Sequence, residues 1–236
     1  MAILLDDKAL FLHIPKTGGS WVTECADAEN IVTDHLGSKH ADLRRINEFY
    51  RHYPYFYLRK RLSLDWNLTS LIQGSFKFCF VRHPYEWIKS FYRYQTEQGW
   101  PNWKGLGSRW STFGNSNWHP TSFLHDLPHT TFNEFIGALL ELRPGFVHEL
   151  YSWYVGDGID FVGKQESLAD DLIEALRRAD LPFDADRIRS LERVNVSEKR
   201  PLNADSGLVR EFHRAEYPTL LRFGYSIPSD LFASAS

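Results

Sequence analysis

The sequence predicts an α/β domain with a central parallel sheet flanked by helices, and three observations carry that expectation. Ala9–Ile14 and Phe76–Val81 are short apolar runs, interrupted by His13 and Lys77 alone, the pattern of strands covered on both faces. Each ends in a turn and passes straight into a helical pattern. A third run, Ile159–Val162, is also followed by a helical segment, and strands that alternate with helices build a parallel sheet.

Taken in order, Met1–Lys8 holds Asp6 and Asp7 and has no basic stretch ahead of a long apolar core, so no signal peptide is expected. Pro15 ends the first strand because it has no N–H to donate. A helix is expected from Gly19 to Ala28, then a short strand over Ile31–Thr33. Asp42–Tyr50 reads as a helix with Leu43, Ile46, Phe49 and Tyr50 on one face. Residues 51–75 receive no element: Tyr53, Tyr55, Phe56 and Tyr57 crowd beside Arg59, Lys60 and Arg61. After Phe76–Val81, Pro84 suits the first turn of a helix that continues over Tyr85–Tyr94.

Residues 99–130 break the pattern. Trp100, Trp103, Trp110 and Trp118 sit among Gly, Asn, Ser and Pro, which predicts a long loop or lid, and so many tryptophans argue against disorder. Phe132–Leu142 follows as a helix with Thr131 as N-cap, and Phe146–Tyr154 as another. Ser167 is expected to cap a helix running to Ala179. Arg193–Arg200 reads as a polar loop, and Asp205–Phe223 as a last helix that ends near Gly224.

The length of 236 residues predicts one domain over 1–236, with no internal repeat. Lys and Arg total 27 against 30 Asp and Glu, a net charge of −3, so no overall basic field recruits nucleic acid or a membrane surface. The cations suffice for a local anion pocket. Cys25 and Cys79, on a helix and a core strand, are expected as buried thiols. No apolar stretch approaches the length of a membrane span. The expected location is cytoplasmic.

The segment Ala9-Leu-Phe-Leu-His-Ile-Pro-Lys-Thr-Gly-Gly-Ser-Trp21 carries the chemistry. A strand, a glycine turn with a lysine and a helix start form the physical recipe for holding a phosphate. Glycines let backbone N–H groups approach an anion; the helix N-terminus adds partial positive charge and Lys16 a full one. It is not a Walker A loop, whose lysine follows the second glycine, whereas Lys16 precedes Gly18 and Gly19. A second segment, Phe76-Lys-Phe-Cys-Phe-Val-Arg-His-Pro-Tyr-Glu-Trp-Ile-Lys-Ser-Phe-Tyr92, sets Arg82 at a strand's carboxyl end. An arginine there can grip a phosphate with two hydrogen bonds, and Ser90, about two helical turns on, can add a contact.

The first segment resembles the 5′-phosphosulfate loop of sulfotransferases that use 3′-phosphoadenosine 5′-phosphosulfate (PAPS). Its His-Ile-Pro-Lys-Thr-Gly-Gly-Ser wording is most similar to the branch of carbohydrate and bacterial sulfotransferases. The second resembles that family's 3′-phosphate motif, which Arg82, Pro84, Ser90 and Tyr92 fit. The resemblance implies a P-loop-like three-layer fold and a PAPS-dependent O-sulfotransferase that needs no metal. It gives Lys16 the bridging oxygen of the leaving group and Ser90 a modulating contact. Thr17, Gly18, Gly19 and Ser20 would hold the 5′-phosphate. Trp21 would stack on adenine, with a core tryptophan as the alternative.

The resemblance also places a base after the first helix and the next strand, in Thr33–Asp42. His40, 24 residues beyond Lys16, is the first choice, since a histidine accepts a proton near neutral pH without large tuning. His35 comes second and Asp34 third, with Glu24 a weaker carboxylate. Lys199 and Arg200 are expected either to close over the cofactor or to be solvated, and Asn195-Val196-Ser197 also fits an N-glycosylation acceptor. His119, His125 and His129 fit no zinc spacing. The acceptor is expected to be a carbohydrate hydroxyl, with a lipid, phenol or natural product as the alternative. The readings of another class are a P-loop-type kinase or NTPase, and a non-catalytic nucleotide-binding protein.

Overall fold

Residues 2–37, 40–46, 68–100, 119–192, 202 and 204–229 are described by the computed structural model. The chain gathers into two compact units, Met1–Arg82 with Ser152–Val196 and His83–Tyr151 with Ser197–Ser236.

The first unit is built on a five-stranded sheet: β1 (Ala2–Leu5), β2 (Ala9–Leu12), β3 (Val32–Leu36), β4 (Phe76–Val81) and β5 (Phe161–Lys164), in the order β3-β1-β2-β4-β5. The expected all-parallel sheet is corrected to a mixed one. β1 runs antiparallel to both neighbours, pairing Ile3 with Phe11 and with His35. β2, β4 and β5 run parallel, with Leu12 opposite Cys79 and Val81 opposite Lys164. β1 went unassigned because its turn is Asp6-Asp7 rather than a glycine pair. Both aspartates take positive φ, +44° and +56°, and Lys8 N–H closes the turn on Leu5 O at 2.9 Å. A two-residue hairpin needs that left-handed pair, which a short Asp side chain tolerates.

Alternation along the strands sends Phe11, Phe78 and Phe80 to one face. There they meet Trp21, Val22 and Cys25 of α1 (Gly19–Ala28) and the buried Leu172 and Leu176 of a later helix, Leu168–Arg178. Phe11 and Phe78 pack with tilted rings, their centroids 5.3 Å apart. Both cysteines are buried free thiols, and burial beside Glu24 and Glu29 pushes Cys25 up to about 12. Ser167 occupies its expected N-cap position, yet its hydroxyl donates to Asp171 instead of capping. α2 (Leu68–Gly74) falls where no element was expected.

The second unit contains α3 (Pro84–Gln98), a 3-10 turn over Pro120–Asp126, α4 (Phe132–Leu142) and α5 (Phe146–Tyr154), whose last turn belongs to the first unit. Thr131 caps α4 in a full capping box with Glu134, as its spacing predicts. The single last helix of the sequence reading is two: Ser206–Ala215 and Tyr217–Arg222. The break falls at Glu216. Its buried carboxylate accepts from the Val147 and His148 N–H groups at 2.7 and 2.9 Å and from the Thr219 hydroxyl at 2.9 Å. Burial raises Glu216 to about 7 although all three bonds favour the charged form.

Among the described residues no helix is long and apolar enough to cross a membrane. Of the expected Asp42–Tyr50 helix, residues 43–46 are helical and 47–50 lie outside the described residues, as do Arg59, Lys60, Arg61 and most of the Trp-rich segment, 101–118. Trp100 stacks on His129 at 4.3 Å and packs on Phe135.

Candidate functional site

From β2 the chain winds through α1 to β3 on one side of the sheet, then enters β4 on the other side of β2. The carboxyl ends of β2 and β4 therefore flank the point where the winding reverses. In open α/β sheets that crevice is where ligands bind. The Pro15–Ser20 turn leaves the sheet here. Arg82 and Pro15 each follow the Leu12–Cys79 pair by three residues, so both leave at the same edge.

The turn is backbone-shaped. φ is positive at Lys16 (+64°), negative at Thr17 and positive at Gly18 (+89°), a turn conformation that aims successive N–H groups to one side. Gly18 is the N-cap of α1 and supplies no side chain, so the N–H groups of the first helical turn stay open to an external acceptor. A Cβ on Gly18 would lie 2.5 Å from a Leu168 methyl, and one on Gly19 would lie 2.1 Å from His13 Cδ2. Thr17 is fully buried and its hydroxyl donates to Ile14 O at 2.9 Å. Thr17 therefore has its N–H for an anion, while its hydroxyl proton is engaged. Ser20 is exposed on the first turn of α1 and Lys16 is half-buried.

His40 comes back to this turn. Its Nδ1 lies 3.0 Å from His13 O, and its ring meets the His13 ring edge-on at 4.7 Å. A carbonyl only accepts, so Nδ1 carries the proton and the lone pair of neutral His40 resides on Nε2. The residue is held at φ +66°, with its carbonyl accepting the Tyr154 hydroxyl at 2.5 Å. Tyr154 is buried, and that burial, with Asp42 and Cys79 nearby, holds its hydroxyl well above the usual phenol range and keeps it a donor. Asp42, also buried, accepts the Arg45 N–H at 2.7 Å and starts the short helical segment that follows.

The structure thus gathers the Lys16–Ser20 turn, His13, His40 and Tyr154 in the first unit, with Arg82 at the same sheet edge. His35 and Asp34 lie on the edge strand β3, with β1 between them and β2. His35 is exposed, its N–H donating to Asp34 Oδ1 at 2.7 Å, and Glu24 is exposed on α1. Trp21 packs in the core, as the alternative reading has it. It is 4% exposed, packed under the sheet, with its indole N–H donating to Leu191 O at 3.3 Å.

Ser90 belongs to the second unit, buried on α3. Tyr92 is buried there too, its hydroxyl donating to His129 O at 2.9 Å. Lys199, Arg200, Asn195 and Ser197 lie outside the described residues. His119 Nδ1 accepts the Thr121 N–H at the start of the 3-10 turn, and burial lowers this histidine to about 4. Among the described residues, no three His, Cys, Asp or Glu side chains gather as a metal site. Sequence reasoning missed two residues. His13 stood inside the motif without a role, and nothing local marked Tyr154, 114 residues from its partner. Set against family models, curated proteins and solved structures, the chain matches none.

Proposed function

We propose that the chain is an O-sulfotransferase that takes the sulfuryl group from PAPS to a hydroxyl of a carbohydrate acceptor by in-line displacement, with no metal. The observation that carries this reading is the glycine turn at the β2/β4 reversal. Lys16, the first-turn helix N–H groups that no side chain caps and the left-handed turn at Lys16 and Gly18 make a site fitted to an anion bound against the main chain. Arg82 at the same edge suits a second phosphate, as a 3′,5′-bisphosphorylated nucleotide requires.

PAPS supplies the sulfuryl group and a phosphate leaving group. Transfer then asks the protein for positioning and charge stabilisation. Lys16 neutralises the leaving oxygen, and the N–H groups of Thr17, Gly18, Gly19 and Ser20 hold the 5′-phosphate. His40 Nε2 takes the proton of the acceptor hydroxyl as its oxygen bonds to sulfur.

The test is release of 3′-phosphoadenosine 5′-phosphate from PAPS in the presence of sugar, phenol and lipid hydroxyls. The reading expects release with a sugar, and its loss in Lys16→Ala with the fold retained. Mg²⁺-dependent ATP hydrolysis in its place would turn the assignment to a kinase or NTPase. Undiminished release from Lys16→Ala would remove that lysine from the chemistry.

A further inference from the structure

We infer that Tyr154 is a positioning residue that acts through His40, selecting Nε2 as its basic nitrogen. The inference rests on the sulfotransferase reading for its consequence, though its geometry stands in the first unit alone. His40 sits in a left-handed backbone conformation, which a residue with a Cβ occupies only where its surroundings impose it. Two bonds impose it here. The Tyr154 hydroxyl donates to the His40 carbonyl, and His40 Nδ1–H donates to the His13 carbonyl. The first pins the backbone and the second pins the ring, so Nδ1 holds the proton and Nε2 carries the lone pair.

Tyr154 suits this task. It is 3% exposed, its hydroxyl stays protonated under burial, and the final turn of α5 anchors it. The His13 ring contributes shape, filling the space between Gly19 and the His40 ring. His13 thus serves twice: its carbonyl fixes the tautomer, and its ring sets the distance between the glycine turn and the base.

Tyr154→Phe removes one hydroxyl and keeps the ring, so the fold survives. With its carbonyl released, His40 relaxes from the left-handed region and loses the bond to His13 O. Nitrogen NMR of the His40 ring is expected to show Nδ1–H in the wild type and a mixture of tautomers in Tyr154→Phe. Turnover is expected to fall on the order of 10²-fold at unchanged KM for PAPS, the scale of a small misplacement of a reacting group. His13→Ala opens the space between Gly19 and the His40 ring and is expected to lose turnover.

An Nε2–H wild-type ring overturns the inference, as does an unchanged tautomer in Tyr154→Phe. Undiminished turnover in His13→Ala overturns the packing role of His13. The tautomer is read without turnover, so its failure sinks the positioning claim alone. An Nδ1–H ring in a protein that never turns over PAPS leaves the positioning claim standing and sinks the sulfotransferase reading.

Discussion

Gly19 and His13 share one space: a Cβ on the glycine would lie 2.1 Å from Cδ2 of the His13 ring. The same ring touches His40 edge-on, so the start of α1 and the proposed base are linked through a single imidazole. Gly19→Ala must therefore push His13 off its place. The expected outcome is a loss of about 1–3 kcal/mol of stability, as overpacking usually costs. At least a tenfold drop in affinity for 3′-phosphoadenosine 5′-phosphate should accompany it. Thermal melts and calorimetry check both, and an unchanged variant would show that the ring and the glycine are not in contact.

His40→Ala should abolish transfer and leave nucleotide binding intact, because the base touches the acceptor and not the phosphates. Loss of a general base costs ~10²–10⁴-fold. Single-turnover rates beside a binding isotherm separate the two effects. Near-normal rates would move the base to His35 or Asp34.

Arg82→Ala should weaken binding of 3′-phosphoadenosine 5′-phosphate far more than binding of adenosine 5′-phosphate, since only the first presents a 3′-phosphate. A charge-assisted bidentate contact is roughly twice as strong as a neutral one. Equal weakening of both nucleotides would mean that Arg82 reads something else.

Trp21→Ala should cost about 3–5 kcal/mol in the free protein, the scale of removing a buried aromatic side chain. The reason is its place in the core under the sheet. Chemical denaturation without nucleotide measures this. A variant as stable as the wild type that had lost only nucleotide binding would restore the adenine-stacking role.

Glu216 gives stability a defined pH dependence. Its folded value is raised from 4.5 to about 7, so its contribution is complete below 4.5 and drains away as pH rises through 7. At ~1.4 kcal/mol per unit, the shift from 4.5 to about 7 amounts to roughly 3–4 kcal/mol. Between pH 5 and 8 the wild type should lose stability relative to Glu216→Gln, which has no proton to give up. Parallel stability curves for the two proteins would contradict this.

The elements that read cleanly were those whose signals are local. α1 begins and ends where Gly19 and Ala28 were placed, β4 spans Phe76–Val81, and α4 has its Thr131 cap. β1 was lost because Asp6-Asp7 lacks the glycine that marks a hairpin, and the sheet was then read as parallel throughout. The last helix was read through Glu216 because its partners, Val147 and His148, lie far off in sequence. The site divides the same way. Lys16 to Ser20 and Arg82 announce themselves by spacing, whereas the Tyr154 bond to His40 depends on tertiary packing.

The central claim is a site for a 3′,5′-bisphosphorylated nucleotide at the β2–α1 turn. The most direct measurement is calorimetric titration of the full chain with 3′-phosphoadenosine 5′-phosphate, beside adenosine 5′-phosphate and ATP with Mg²⁺. The account predicts tight binding that depends on the 3′-phosphate and collapses in Lys16→Ala. Binding of ATP with Mg²⁺ alone, or of none of the three, would contradict it.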